Sequence, residues 1–170
     1  MSSGLVPDAD VSSRARVVRF ACALALAAAA ATMSSGCRDR DVVTNSYATL
    51  AEARDAGAAR RGEIPPGVPE GAHDIRTASD QDSDRRWGLF DFLAQDADAL
   101  RAMLNAEEIS FAGVECDIPG RIEWWPVLLR GTVNAEQAKA AALQSYRSRQ
   151  GSLVFVVNWK QGRAYYWGGK

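Results

Sequence analysis

An acidic run between two predicted strands is the stretch whose residue types and spacing point most clearly to chemistry. Asp80, Asp82 and Asp84 occupy alternate positions in the sequence DQDSD. Carboxylates at alternate positions of a turn can converge on Ca²⁺, as they do in the first half of an EF-hand loop. However, Arg85 stands where that loop requires glycine, and Asp91 stands where it ends in glutamate. Two alternatives therefore remain, a calcium-dependent binding module at the three aspartates and a solvated turn that binds no metal.

A second candidate for chemistry is the pair His73 and Cys116. His73 is the one histidine of the chain, so a Ser-His-Asp or Cys-His mechanism would have to use it, with Cys116 as the obvious thiol. No nucleophile elbow accompanies either residue, and the flanking acids Glu115 and Asp117 would raise the pKa of the thiol. One histidine and one cysteine are also a poor ligand set for zinc. A hydrolase or thiol enzyme stays an alternative, but the sequence favours a protein that is not an enzyme.

The tryptophans form a third group of candidates, because all five lie in the second half of the chain. A row of exposed rings could stack on a glycan or contact another protein, whereas a thin sheet would bury such rings in its core. If any of these rings is exposed, we expect it to be Trp125, since two adjacent aromatic residues before Pro126 cannot easily both face inward. It is therefore the candidate binding residue.

The stretch 14–37, with the sequence RARVVRFACALALAAAAATMSSGC, has the parts of a bacterial export signal in the usual order. Three arginines precede an apolar run that begins at Phe20, and small residues follow the run. The run is too short to be a membrane-spanning helix, which needs about 20 apolar residues. We therefore predict that residues 1–36 are an export signal of lipoprotein type and that Cys37 is acylated.

The ending Ser34-Ser35-Gly36-Cys37 resembles a bacterial lipobox, in which a diacylglyceryl group is attached to the cysteine thiol. Ser34 departs from the pattern, which prefers an apolar residue there, so simple secretion and an uncleaved anchor remain alternatives. Arg38 replaces the aspartate that commonly favours the inner membrane in bacteria with two membranes. The predicted location is the cell envelope, with a lipid anchor in the outer membrane and the protein facing the periplasm in such a bacterium.

The composition of the chain limits its partners and its domain organisation. The formal net charge is −1 and no basic cluster is present, which argues against nucleic acid as a partner. Cys22 would leave with the signal and Cys37 would be acylated, so Cys116 would have no partner for a disulfide. The polar residues that follow predict a tether over 37–46 and a single domain over 47–170. Apart from possible Ca²⁺, no cofactor is expected.

Apolar periodicity and cap residues predict an α+β fold, an antiparallel sheet of about five strands with two to three helices packed on it. Thr49 and Glu52 form a capping box, and Gly57 is the expected left-handed stop of that helix. The proline-rich stretch 60–76 is predicted to be an extended connection. The predicted helices lie at 49–56, 93–105 and 134–147, and the predicted strands lie at 74–79, 86–92, 109–114, 122–124, 152–159 and 163–167.

The order of several short motifs is similar to that of a known family. The motifs are Tyr47-x-Thr49-x-x-Glu52-Ala53-x-x-x-Gly57, Arg61-Gly62-x-x-Pro65, Pro69, Ala72-x-x-Ile75-Arg76, Asp80-x-Asp82, Trp87-Gly88-x-Phe90-x-Phe92, Trp124-Trp125-Pro126-x-x-Leu129 and Gly162-Arg163-x-Tyr165-Tyr166-Trp167. Together they resemble the YbbD-head-like domain of small bacterial envelope proteins, over about residues 47–167. Glu63 departs from the pattern, in which an aromatic residue is usual. The resemblance implies one compact domain, often behind a lipoprotein signal, and it implies no activity and no catalytic residues.

Overall fold

The computed structural model describes residues 41–149 and 152–169, which contain nine strands and three short α-helices. The helices are α1 (Leu50–Asp55), α2 (Ala97–Met103) and α3 (Ala135–Ala140), and short 3₁₀ helices lie at Ala94–Asp96 and Val127–Leu129. The strands are β1 (Val42–Thr49), β2 (His73–Asp80), β3 (Arg86–Asp91), β4 (Leu104–Ile109), β5 (Glu115–Cys116), β6 (Gly131–Thr132), β7 (Gln144–Ser148), β8 (Leu153–Asn158) and β9 (Arg163–Gly168). None of these helices is both long and apolar enough to cross a membrane.

Seven of the strands form one antiparallel sheet in the order β1-β2-β3-β9-β8-β7-β4, and β5 pairs with β6 in a small second sheet. The predicted class, an α+β fold built on an antiparallel sheet, is confirmed. The predicted size of about five strands is wrong, because β1, β4 and β7 were not recognised. Two of these, β1 and β4, are the edges of the sheet, where one-sided pairing and exposure leave little apolar alternation in the sequence.

The start of the domain also differs from the prediction. Val42–Ser46 was assigned to the tether, but these residues belong to β1 and pair with Asp80–Arg76 of β2. The segment is polar because most of its side chains are exposed at the sheet edge. The predicted export signal, Cys37 and residues 37–40 of the predicted tether lie outside the described residues.

Two predicted helices are shorter than expected, and a strand follows each of them within a few residues. The helix predicted over 134–147 ends at Ala140, and the chain turns at Ala142, where φ is 56°, before β7 begins. The helix predicted over 93–105 is α2, which passes into β4 at Leu104. The strands predicted at 109–114 and 122–124 are wrong, since most of those residues lie in turns.

Both faces of the large sheet are covered. On one face the sheet packs against α1, α2 and the connector, which we define as residues 56–72. On the other face it packs against residues 110–143. The central strand β8 serves both layers, because Phe155 and Val157 face the first and Val156 faces the second. The hairpins β2–β3 and β8–β9, which the sequence predicted, bring the long apolar strands into this position.

Candidate functional site

An open cleft of about 800 Å³ lies between the connector and the turn that joins β2 to β3. Residues 60–63 form its lining on the connector side, and residues 79–86 form its lining on the hairpin side. Charges of both signs meet there, namely Arg60, Arg61, Arg85, Arg86, Glu63, Asp80, Asp82 and Asp84. We call this the polar cleft, and it is the candidate binding site.

Glu63 is buried at the polar cleft, with a side chain that is only 5% exposed. Its Oε1 accepts a hydrogen bond of 2.6 Å from Arg61 Nε. Its Oε2 accepts from the Thr77 hydroxyl at 3.0 Å, from Asn45 Nδ2 at 3.2 Å and from the Tyr47 hydroxyl at 3.3 Å. The carboxylate therefore joins the connector to β1 and β2, the two strands beneath it.

The charge state of Glu63 follows from these contacts. Burial alone would raise the pKa of the Glu63 carboxyl, but the hydrogen bonds from Arg61, Thr77 and Asn45 and the charge of Arg61 outweigh it, so the pKa is lowered. Glu63 is consequently ionised at neutral pH, and its lone pairs are used by protein donors. These contacts suit a group that holds the wall of the polar cleft better than a general base, which needs an oxygen that can reach substrate.

The acidic turn forms the opposite wall of the polar cleft. Asp80 is buried, and its Oδ1 accepts from the Asp82 backbone amide at 3.0 Å while its Oδ2 accepts from the Ser83 hydroxyl at 2.9 Å. Asp80 thus shapes its own turn, as aspartate commonly does. Asp82 and Asp84 are exposed. Among the described residues, Asp80, Asp82 and Asp84 do not form a group of three ligand atoms within 4.8 Å, whereas a different set of residues does.

The arginines of the hairpin are held by contacts with other segments. Arg85 Nη1 forms an ion pair with Asp117, which lies beyond β5. Arg86 Nη1 donates to the Gly62 carbonyl oxygen on the connector side. The two walls of the polar cleft are therefore connected through Arg86, and the cleft is organised before any ligand enters.

Cys116 lies in the core at β5 and has no exposed surface. Burial raises the pKa of its thiol to about 12. His73, in contrast, is half-buried at the start of β2, where it pairs across the sheet with Thr49 and Asp91. A buried, protonated thiol is not a nucleophile. Cys116 therefore packs in the core as a small residue.

Trp125, the ring expected to be exposed if any tryptophan is, is buried. Its side chain is only 2% exposed, and its Nε1 donates a hydrogen bond of 3.0 Å to the Leu129 carbonyl oxygen. Its ring packs edge-to-face against Trp124, Tyr165 and Trp167 at centroid distances of 5.8, 5.7 and 5.9 Å. The 3₁₀ helix after Pro126 folds back over the ring, and Val127 rather than a tryptophan is the exposed apolar residue of this loop.

The role of Glu63 and of its donors Asn45, Tyr47 and Thr77 was not predicted from the sequence. The available signal was Glu63 itself, because an acid stood at a place where the resembled family has an aromatic residue. The contacts of Asn45 and Tyr47 depend on β1, of which residues 42–46 were assigned to the tether. Without that strand, no sequence pattern places Asn45 beside Glu63.

Fold and cleft together define an α+β domain on a seven-stranded antiparallel sheet with a polar cleft beside β2 and β3. The family model of the YbbD head domain matches residues 41–91, which run from β1 to the end of β3. The resemblance inferred from the motifs is confirmed over this part, and the lining of the polar cleft lies wholly within it. The motifs at 124–129 and 162–167 lie outside the match. The comparisons with curated proteins and with solved structures gave no match.

Proposed function

We propose that this chain is a lipid-anchored protein of the bacterial cell envelope whose domain binds another envelope component in the polar cleft. The observation that carries the proposal is the cleft itself, about 800 Å³ in volume and lined almost wholly by charged and polar side chains. Its walls are set by hydrogen bonds within the protein, so binding need not first order them. The component is a protein segment or a glycan, since both offer donors and acceptors to such a surface.

The exposed charges at the rim supply the recognition in this proposal. Arg60 on one wall and Asp82 and Asp84 on the other are exposed, whereas Glu63 and Asp80 are buried and bonded within the protein. A ligand that carries groups of both signs complements this arrangement, and opposite charges also suppress unsuitable partners. The burial of Cys116 supports binding over thiol catalysis.

Crosslinking in intact cells followed by mass spectrometry tests the binding role. The test variant Asp82→Asn/Asp84→Asn removes two exposed carboxylates from the polar cleft. Its matched control, Asp98→Asn, removes an exposed carboxylate from α2, outside the lining of the cleft. We expect the wild type and the control to yield the same envelope partner and the test variant to lose it. Recovery of the partner with all three proteins would disprove the role of the cleft.

Fractionation and peptide mapping test the anchor separately. We expect the mature chain to begin at Cys37, to carry acyl groups there and to stay with the membrane unless detergent is added. A Cys37→Ser variant should appear in the soluble fraction or keep its signal peptide. Release of the wild-type protein without detergent would contradict lipid anchoring and would leave the binding test unaffected.

A further inference from the structure

We propose a binding site for a divalent transition-metal ion at His73, Asp74 and Asp91, where β2 begins and β3 ends. Among the described residues, these three offer a ring nitrogen and two carboxylate oxygens that all lie within 4.8 Å of one another. His73 and Asp91 face each other directly in the pairing of β2 with β3. The group shares no residue with the polar cleft, and this inference does not depend on the proposed function.

A β-bulge explains how two consecutive residues can serve one ion. In a regular strand, His73 and Asp74 would point to opposite faces of the sheet. Between the pairs His73–Asp91 and Arg76–Leu89, however, β2 advances by three residues while β3 advances by two. Asp74 absorbs the change with a φ of 47°, in the left-handed region that aspartate tolerates better than most residues. Bulges of this kind redirect side chains, and here the carboxylate of Asp74 comes within reach of the His73 ring.

Contacts from outside the group orient two of the three ligands as a metal site requires. His73 Nδ1 lies 3.1 Å from the Gly71 carbonyl oxygen. Because a carbonyl only accepts, this contact sets the tautomer of the neutral ring with the proton on Nδ1, which leaves the lone pair on Nε2. Arg163 donates to Asp91 from Nε at 2.5 Å and from Nη2 at 2.7 Å. Hydrogen bonds to a backbone carbonyl and to ligating carboxylates are the usual outer contacts of metal ligands.

The ligand set selects the class of ion. One imidazole nitrogen with two carboxylate oxygens suits Zn²⁺, Mn²⁺ or Fe²⁺ better than Ca²⁺ or Mg²⁺, which prefer oxygen alone. The two carboxylates outweigh the charge of Arg163, so the group carries a net negative charge when the His73 ring is neutral. His73 and Asp91 are half-buried and Asp74 is exposed, so the ion can enter from solvent and water can complete its coordination.

Nuclear magnetic resonance of the His73 ring is the sharpest test, because this is the one histidine of the sequence. The full chain is purified in detergent without a histidine tag, treated with a chelator and titrated with Zn²⁺ alone. We expect the ring nitrogen signals to shift and to saturate at one equivalent. Co²⁺ should give visible absorption bands that Zn²⁺ abolishes. Unchanged ring signals in excess Zn²⁺ would overturn the proposal.

Asp74→Asn is the informative variant, since asparagine tolerates the same left-handed backbone while it removes the charge. We expect the affinity for Zn²⁺ to fall at least about tenfold, because loss of even an outer contact typically weakens metal binding roughly 10- to 100-fold. His73→Gln should show a comparable loss of affinity for Zn²⁺ in calorimetry. This second variant tests the site even if the substitution at position 74 impairs folding. Asp98→Asn, an exposed aspartate outside the group, should bind as the wild type does. Equal affinity in all four proteins would also overturn the proposal.

Discussion

The ring of Tyr166 on β9 covers the backbone of Gly88 on β3. The two residues are partners in the antiparallel pairing, and a Cβ atom at position 88 would overlap the Cζ and hydroxyl of Tyr166. In this position the Tyr166 hydroxyl donates a hydrogen bond of 2.6 Å to the Glu63 carbonyl oxygen. The missing side chain at position 88 thus allows a buried tyrosine to hold the connector, and with it one wall of the polar cleft, against the centre of the sheet.

Gly88→Ala is therefore expected to lower the free energy of unfolding by about 1–3 kcal/mol, the usual cost of overpacking a core. Urea unfolding followed by tryptophan fluorescence measures the change. Gly120→Ala is the matched control, because a Cβ there meets no atom within 4 Å. If both variants unfold at the same urea concentration, the contact between Gly88 and Tyr166 does not constrain the sheet.

Glu63→Gln is expected to destabilise the protein in a pH-dependent manner. The folded pKa of Glu63 lies below its ordinary value of 4.5, so the ionised carboxylate stabilises the fold above that value and loses its effect as the pH falls through the folded pKa. At pH 7 we expect a loss of about 1.5–3 kcal/mol, typical of hydrogen bonds to a charged group. The difference between wild type and variant should narrow below pH 4.5 in urea unfolding. Exposed Glu123 provides the control Glu123→Gln, and a pH-independent difference would contradict the assignment.

Cys116 is expected to resist alkylation in the native protein, because its thiol is buried and its pKa is raised to about 12. Treatment with iodoacetamide at pH 8, followed by peptide mapping, measures the alkylation of Cys116 separately from that of Cys22 and Cys37. The same reaction in urea should label Cys116 fully, which shows that the thiol itself is reactive. Rapid labelling of Cys116 in the folded protein would instead support the thiol-enzyme alternative.

Trp125→Ala is expected to cost about 3–5 kcal/mol, as is usual when a large buried aromatic residue is truncated. Three neighbouring rings lose their contact with it, and the Leu129 carbonyl loses a donor. Val127→Ala, in the same loop but 84% exposed, should leave the stability nearly unchanged. Thermal unfolding compares the two variants. A mild effect of Trp125→Ala would show that the loop is not part of the core.

The acidic turn is expected not to respond to calcium, because among the described residues Asp80, Asp82 and Asp84 do not bring three ligand atoms within 4.8 Å of one another. Melting curves of the wild type should coincide in millimolar Ca²⁺ and in a chelator that is selective for Ca²⁺. A rise in melting temperature with Ca²⁺ that Asp82→Asn/Asp84→Asn abolishes would instead support the calcium-binding alternative. Zn²⁺ must be absent from this experiment, since the group at His73 is proposed to bind it.

Some features of the fold could be predicted because they depend on residues close together in the chain. The capping box is one, since Glu52 Oε2 accepts from the Ala48 amide at 2.8 Å and Thr49 Oγ1 accepts from the Glu52 amide at 3.2 Å. The left-handed Gly57 and the hairpins β2–β3 and β8–β9 are others. Their signals are short-range: side-chain caps, alternation of apolar residues, and turn residues between two strands.

The tertiary structure decided what depends on residues far apart in the chain. β1, β4 and β7 become strands because neighbouring strands offer them backbone hydrogen bonds, and their own side chains carry weak patterns. Trp125 was the tryptophan expected at the surface if any was, but residues distant in sequence enclose its ring.

The same reason accounts for both sites. Glu63 gathers donors from β1 and β2, and a bulge in β2 brings Asp74 to His73 and Asp91. The sequence alone determined the local elements and the family resemblance, whereas only pairing and packing over long separations placed the side chains that form the polar cleft and the proposed metal site.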